Sequence, residues 1–451
     1  MAKWAREAVV PLYLFACLLL GGSAQGIWAN MLLQLGGVAM IAWAAMAPAG
    51  DPLVRSQHRL LLIVGAGLAV AAIQLVPLPA TIWPQLGGRT RIASGFEVLG
   101  MHVPALPVSL APYDSVAALF AFVPPLAILC AMMRLKAYRA SWLAFALIAG
   151  VIAGVLLGML QVSGGPDSPW YLYQRTNRGL ATGFFANANH MATLLVVSLP
   201  FLAALLASAQ GAKVQRYSAA VALVGATALV VIVGIALNGS IAGYALVVPV
   251  LLGSGLILIP ASTMVRRIAG IGAGLLLIAA LVALWTTPIG SRSLGEDASS
   301  SVQSRQEILQ TSVHPLRDFM PFGSGLGTYR AVYQLYEDHI RIDPTFVRHA
   351  HNDYLELAVE TGIPGLIVLI AFLAWWAAAA GAAWRSAGAP LGRAAAIASA
   401  AILAHSLVDY PLRTAAIAST FAMCLGLLVE RRVERGADKS DLWATRHIIL
   451  E

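Results

Sequence analysis

Two histidines, an Asn-Asp pair and two glutamates stand between His349 and Glu360, in the stretch RHAHNDYLELAVETGIPG from Arg348 to Gly365. A free imidazole titrates near pH ~6.5, so His351 is suited to take a proton from a hydroxyl group at neutral pH. It could instead cap the helix that follows, although Asn352 is the better capping residue. His349 and His351 would point the same way in an extended chain, which is how a metal site can begin. No further His, Cys or paired carboxylate stands at ligand spacing nearby, and no Asp-x-Asp motif occurs, so no metal is expected. Glu356 and Glu360 lie one helical turn apart and read as a solvated face, from which one of them could orient His351. His405, Asp409 and Arg413 are also spaced by four. They would stack on one helix face, but Pro411 should stop that helix before Arg413. That leaves a structural ion-pair corner or a supporting role in the site.

What positions these groups follows from the composition. The 451 residues are 59% hydrophobic and 11% charged, with a mean hydropathy of +0.77. Soluble domains are about a quarter charged, so this chain cannot dress a water-facing surface of ordinary kind. The apolar residues come in runs long enough to cross a bilayer, which takes roughly 20 residues. The fold class expected is therefore all-α: a polytopic membrane helical bundle of about twelve transmembrane helices with one large periplasmic loop. The approximate span cores are Ala8–Gly22, Ile27–Pro48, Leu60–Val76, Ser115–Met133, Ser141–Val162, Met191–Ala209, Tyr217–Leu237, Ile241–Pro260, Ile268–Thr286, Ile363–Trp384, Ala394–Val408 and Thr414–Val429. The split at Asn238-Gly239-Ser240 reads as a turn or a kink.

Alternate loops are basic and short, which places both termini in the cytoplasm by the positive-inside rule. The first run carries Lys3 and Arg6 like a signal peptide but is needed for span parity, so it is read as retained. Residues 1–287 then hold nine spans with outward loops near 79–113 and 163–189. Residues 288–362 form the large outward loop, 363–430 the last three spans, and 431–451 a cytoplasmic tail. Cys17, Cys130 and Cys424 all fall within spans, so no disulfide framework is expected.

The large loop should contain two short helices, around Ser304–Val313 and Tyr329–Tyr336, separated by Pro315, Pro321 and the glycines of GSGLG. Pro321, rather than a strand, precedes that glycine cluster. It reads as a tight turn allowing close backbone approach, not as a nucleotide loop. All four lysines, Lys3, Lys136, Lys213 and Lys439, lie on the expected cytoplasmic side. The outward cations are all arginine, a bias that genome composition could produce. Guanidinium groups also grip phosphate oxygens two at a time and stay charged at any working pH.

HNDYLELAVETGIPG has His, Asn, nine residues, Gly, two residues and Gly. It resembles the periplasmic signature of the bacterial O-antigen ligase and polymerase superfamily. RGLATGFFANANHMATLL (Arg178–Leu195), HPLRDFMPFGSGLGTY and HSLVDYPLR (His405–Arg413) are similar to further blocks of that family, in the same order. The chain departs from many relatives at Ala188, where they have Arg, and at Asn238-Gly239-Ser240, where they have Ser-Arg-Gly.

The resemblance implies a metal-independent, cofactor-free glycosyltransferase in the bacterial inner membrane. Its donor would be a glycan linked to undecaprenyl diphosphate. Its saccharide acceptor would be lipid A-core for a ligase, or the growing glycan for a polymerase, and a protein-glycosylating ligase would share the same motifs. His351 is then the candidate base, and Arg175, Arg178, Arg305 and Arg348 are candidates for holding the donor diphosphate. His349, Asn352, Asn189, Asp409, Arg413 and Glu360 are expected to support the site. The bilayer is the other partner, and no nucleic acid is expected. A transporter or flippase would share the span count and the basic outer face. It would need ionisable residues along a path through the spans, and these spans are nearly free of them.

Overall fold

The structure is a computed structural model that describes residues 3–23, 27–48, 52–174, 176–210, 212–258, 296–337, 347–386 and 389–429, with single positions at 268, 272 and 275. The chain is an all-α, multi-pass membrane protein. Among the described residues eight helices are long and apolar enough to cross a membrane. In lipid, backbone polar groups must be satisfied within the segment, and a helix does that.

The helices are α1 (Lys3–Leu20), α2 (Trp28–Met46), α3 (Arg55–Ile73), α4 (Thr90–Val98), α5 (Pro112–Ala121), α6 (Val123–Cys130), α7 (Ala140–Ser163) and α8 (Ala188–Ala209). They continue with α9 (Val214–Asn238), α10 (Ile241–Leu258), α11 (Glu296–Asp318), α12 (Tyr329–Tyr333), α13 (Asp353–Arg385), α14 (Pro390–His405) and α15 (Ala415–Leu428). Helices α5 and α6 form one span that a π-helical turn extends to Leu135. The expected cores Ala8–Gly22, Ala394–Val408 and Thr414–Val429 fall on α1, α14 and α15. The expected core Ile268–Thr286 and the tail from Glu430 lie outside the described residues.

Helix α8 is the centre of the bundle, buried without interruption from His190 to Ala204. It packs against α9, α10 and α14. Its N-terminus is fixed by Asn187, whose side-chain oxygen accepts the Asn189 amide at 2.8 Å. Helix α1 packs between α7 and α15, and the Ala416 amide donates to the Gly21 carbonyl at 3.0 Å.

The Asn238-Gly239-Ser240 segment is a true break. Gly239 takes a left-handed conformation, φ 72°, that ends α9, a position where a side chain would be strained. Asn238 donates to the carbonyls of Ala181 and Ala188, and Ser240 donates to the Asn189 side chain at 2.7 Å. The break therefore ties α9 and α10 to the start of α8.

Two expectations for the large loop need correction. The helix expected around Ser304–Val313 runs from Glu296 to Asp318, with Pro315 inside it. The second helix spans only Tyr329–Tyr333.

Helix α13 is two helices joined at Gly362, whose φ of 60° and ψ of −151° no helix contains. The first part carries the polar residues and the second enters the membrane. The GSGLG turn closes on that joint: Ser324 and Gly325 donate to the carbonyls of Val359 and Glu360 at 3.0 and 2.8 Å. A Cβ on Gly323 would collide with the Glu360 carbonyl. The glycines thus allow backbone to meet backbone.

A loop layer braces this turn. Pro77–Leu78 pairs antiparallel with Leu106–Pro107, Leu78 opposite Leu106. Buried Arg89 donates to the carbonyls of Gly87, Val108 and Gly323. Gln74 donates to Phe322 and Glu360 and accepts from Leu326.

Candidate active site

His351 immediately precedes the cap of α13. Its backbone takes a left-handed conformation, φ 50°, uncommon for a residue with a side chain and found preferentially at functional positions. Asn352 then caps the helix, accepting the amides of Tyr354 and Leu355 at 3.0 Å each. Its side-chain nitrogen donates to the Leu407 carbonyl. That bond docks the start of α13 on the corner between α14 and α15.

The corner supplies Asp409. Helix α14 stops at His405, and Pro411–Arg413 is a separate 3-10 turn, so His405, Asp409 and Arg413 do not share a helical face. Asp409 is fully buried, with its Oδ1 3.2 Å from His351 Nδ1. Asn189 donates to Asp409 Oδ2, and Arg305 on α11 approaches the same oxygen at 3.9 Å. Burial alone would raise this carboxyl. The hydrogen bond and charge of His351, with the Arg305 guanidinium, outweigh it and hold Asp409 well below the usual carboxylate range. An ionised Asp409 can only accept, so His351 donates to it from Nδ1 and points Nε2 away, the nitrogen that can take a proton whenever the ring is neutral. Among the described residues Nε2 has no partner.

An unfolded Asp titrates near pH ~3.9. Because the folded state holds Asp409 lower, its stabilisation is fully present above that value. It is lost as the pH falls through the lowered folded one. Asp409→Asn should flatten the acid side of the unfolding profile, read by thermal unfolding in detergent between about pH 5 and 3.

Tyr410 is the common wall. Its ring lies 4.1 Å from that of His349, and 5.0 Å from those of both His351 and His190. Burial raises its phenol and the Asp409 charge adds to that, so the hydroxyl stays protonated and pairs with Asn187. Behind it, His349 donates to Glu356 at 2.9 Å, whose other oxygen accepts the Ala350 amide. Glu356 and Glu360 are buried, at 1% and 0% exposure, which overturns the expectation of a solvated face. The charge that permits this is Arg413, 3.2 Å from Glu360, 3.3 Å from Glu356 and 3.5 Å from Asp353.

The structure therefore brings together His351, His349, Asn352, Asn189, Asp409, Arg305, Arg413 and Glu360. Arg178 is engaged elsewhere: it donates to the Pro166 carbonyl at 2.9 Å and lies over the Tyr171 ring. Arg348 makes no ion pair among the described residues, and Arg175 lies outside them. Tyr410, Gln74 and Arg89 received no role from the sequence. Tyr410 stands inside the quoted HSLVDYPLR block, whereas nothing local marks the other two.

Residues 226–370 match the family model described as O-antigen ligase. Over those residues the chain is similar to the O-antigen ligase/polymerase superfamily. No curated protein matches the chain. The match carries Arg305, His349, His351, Asn352 and Glu360, and stops short of the corner that holds Asp409 and Arg413. That family implies glycosyltransferase-type chemistry, glycan substrates and a membrane setting.

Within the segment similar to O-antigen ligases, the described arginine with both partial exposure and a link to His351 is Arg305, 29% exposed at its side chain. Arg305→Ala should slow transfer about 10²–10³-fold, the usual effect of removing one aimed donor. Arg178→Ala should leave initial rates of glycan transfer within about threefold, because the Pro166 carbonyl and the Tyr171 ring already engage its guanidinium.

Proposed function

We propose that the chain is a metal-independent glycosyltransferase that moves an oligo- or polysaccharide from undecaprenyl diphosphate to a sugar acceptor. The reaction takes place at the periplasmic face of the bacterial inner membrane. It is O-antigen ligase-like, with lipid A-core as acceptor, and it uses no cofactor. The observation that carries this reading is the buried Asp409–His351 pair with the partly exposed Arg305 guanidinium beside it.

The chemistry asks little more. The acceptor oxygen bonds to the anomeric carbon while the bond from that carbon to the diphosphate breaks. The electron pair leaves on the diphosphate, already a weak base, so no general acid is needed. His351 Nε2 takes the acceptor hydroxyl proton, and Asp409 stabilises the imidazolium that results. Positioned proton transfer of this kind is worth about 10²–10⁴-fold. Arg305, with Arg348 and Arg175 as further candidates, neutralises the departing phosphates, as oriented cations do for charge that develops in a transition state.

The periplasmic assignment rests on the alternation of basic and lysine-free loops in the sequence. A transporter reading is weakened because Asp353, Glu356, Glu360, Asp409 and Arg413 gather at one end of the helices rather than along a path.

The test is purified protein in lipid, given an undecaprenyl-diphosphate glycan with either lipid A-core or a second donor molecule. Transfer to lipid A-core that persists in excess chelator supports the ligase. Elongation of the donor glycan alone would make the protein a polymerase. No transfer to either acceptor, or activity abolished by the chelator, would overturn the proposal.

A further inference from the structure

At the opposite end of the bundle from His351, three segments line a half-open cavity of about 590 Å³, within the size range of small-ligand sites. Its lining is Lys3, Arg6 and Glu7 from the first turns of α1, Leu53 before α3, and Met133 to Lys136 at the end of the α5–α6 span. Basic loops at one membrane face follow from insertion bias. That bias does not require four of the cations to face one space, yet here they do.

The local fold shows how they are held. The span ends in a π-helical turn over Ala131–Leu135, and Lys136 reverses the chain in a left-handed conformation, φ 48°. This turn is bound to α1: the Val10 amide donates to the Ala137 carbonyl at 3.1 Å, and Arg6 donates to the Leu135 carbonyl at 2.6 Å. Arg134 donates to the Ala47 carbonyl at 3.2 Å. Both guanidinium groups are thus aimed by backbone carbonyls, and among the described residues neither pairs with a carboxylate. Glu7, the one acid in the lining, is paired from outside by Arg139 at 3.3 Å. Four basic side chains, Lys3, Arg6, Arg134 and Lys136, thus line the cavity against the single acid Glu7, with Leu53, Met133 and Leu135 as apolar walls.

We propose that this cavity binds the phosphodiester headgroup of an anionic phospholipid. Guanidinium pairs fit phosphate oxygens. The cavity stands where a membrane helix leaves the bilayer, and basic pockets between helices at the cytoplasmic side suit anionic headgroups. In the orientation proposed above this is the cytoplasmic leaflet. Lipid bound here would clamp α1 to the α5–α6 span and so brace the helix whose far end meets the start of α15.

The experiment uses the full chain in a zwitterionic detergent. Dioctanoyl phosphatidylglycerol, dioctanoyl phosphatidylcholine and inorganic phosphate are added separately, with binding read by native mass spectrometry and thermal shift. Phosphatidylglycerol should bind at least about tenfold more tightly than phosphatidylcholine. Arg6→Gln/Arg134→Gln should weaken it about tenfold or more, since each basic residue near a membrane surface contributes substantially to anionic-lipid attraction. Lys3→Gln/Lys136→Gln, which leaves the two guanidinium–carbonyl bonds intact, should do the same. Lys213→Gln/Arg216→Gln, on another loop at the same bundle end, should have no effect. Inorganic phosphate that displaces the lipid at equal concentration would assign the site to free phosphate and overturn the lipid proposal. Equal binding of the two lipids, or unchanged phosphatidylglycerol binding in both cavity variants, would overturn it as well.

Discussion

His351→Ala should slow glycan transfer about 10²–10⁴-fold, the range a positioned base contributes. The loss should fall on the rate at saturating donor, because the ring acts on the acceptor proton and not on the diphosphate. Donor affinity should stay within about threefold of the native value, since no uniform binding is removed. His351 sits before the helix proper, and Asn352 carries the cap, so the variant should fold. Rates at saturating donor, with donor affinity measured separately, check this result. A variant whose affinity falls while its rate is preserved would make His351 a binding residue.

The second large effect concerns stability. Arg413 is the cation shared by Asp353, Glu356 and Glu360. Its guanidinium is held above its ordinary value because those carboxylates outweigh the cost of burial. Arg413→Met leaves the acids buried without that charge, and breaking a buried pair in this way costs about 3–5 kcal/mol. Lysine should rescue poorly, because a point charge on a flexible stem cannot reach three carboxylates as a planar fork does. Adding Glu360→Gln to Arg413→Met should recover part of the loss by removing one uncompensated acid. Thermal or denaturant unfolding in detergent measures all three variants. A melting temperature unchanged in Arg413→Met would show that water already compensates the cluster.

The two predictions concern groups of very different visibility in the sequence. Apolar runs and their breakers were enough to place helices, because the bilayer requires about 20 apolar residues per crossing. Asn352 as the cap and the break at Asn238-Gly239-Ser240 were legible for local reasons, a side-chain acceptor and a glycine. The burial of Glu356 and Glu360 is not legible locally, because two glutamates one turn apart look the same whether solvated or buried. Arg413, which decides between these states, stands 53 residues beyond Glu360 and meets it only in the folded bundle. Arg178 and Arg305 are equally basic in the sequence. The Pro166 carbonyl and the Tyr171 ring take up one, while α11 carries the other to Asp409. That helix exceeds its expected length because Pro315, a usual helix breaker, lies inside it and the helix continues to Asp318. Tyr410 escaped because a ring packed on three histidines has no signature at the level of spacing.

Asp409 and His351 lie 58 residues apart and meet through one hydrogen bond. Only Asp409 falls outside the family match. The most direct measurement is therefore the transfer rate of His351→Ala/Asp409→Asn beside His351→Ala alone, at saturating donor and with folding verified. If Asp409 works through the imidazole, the double variant is no slower than the single one, to within about twofold. If the two losses multiply in full, Asp409 acts independently of His351 and the pair is not the catalytic unit.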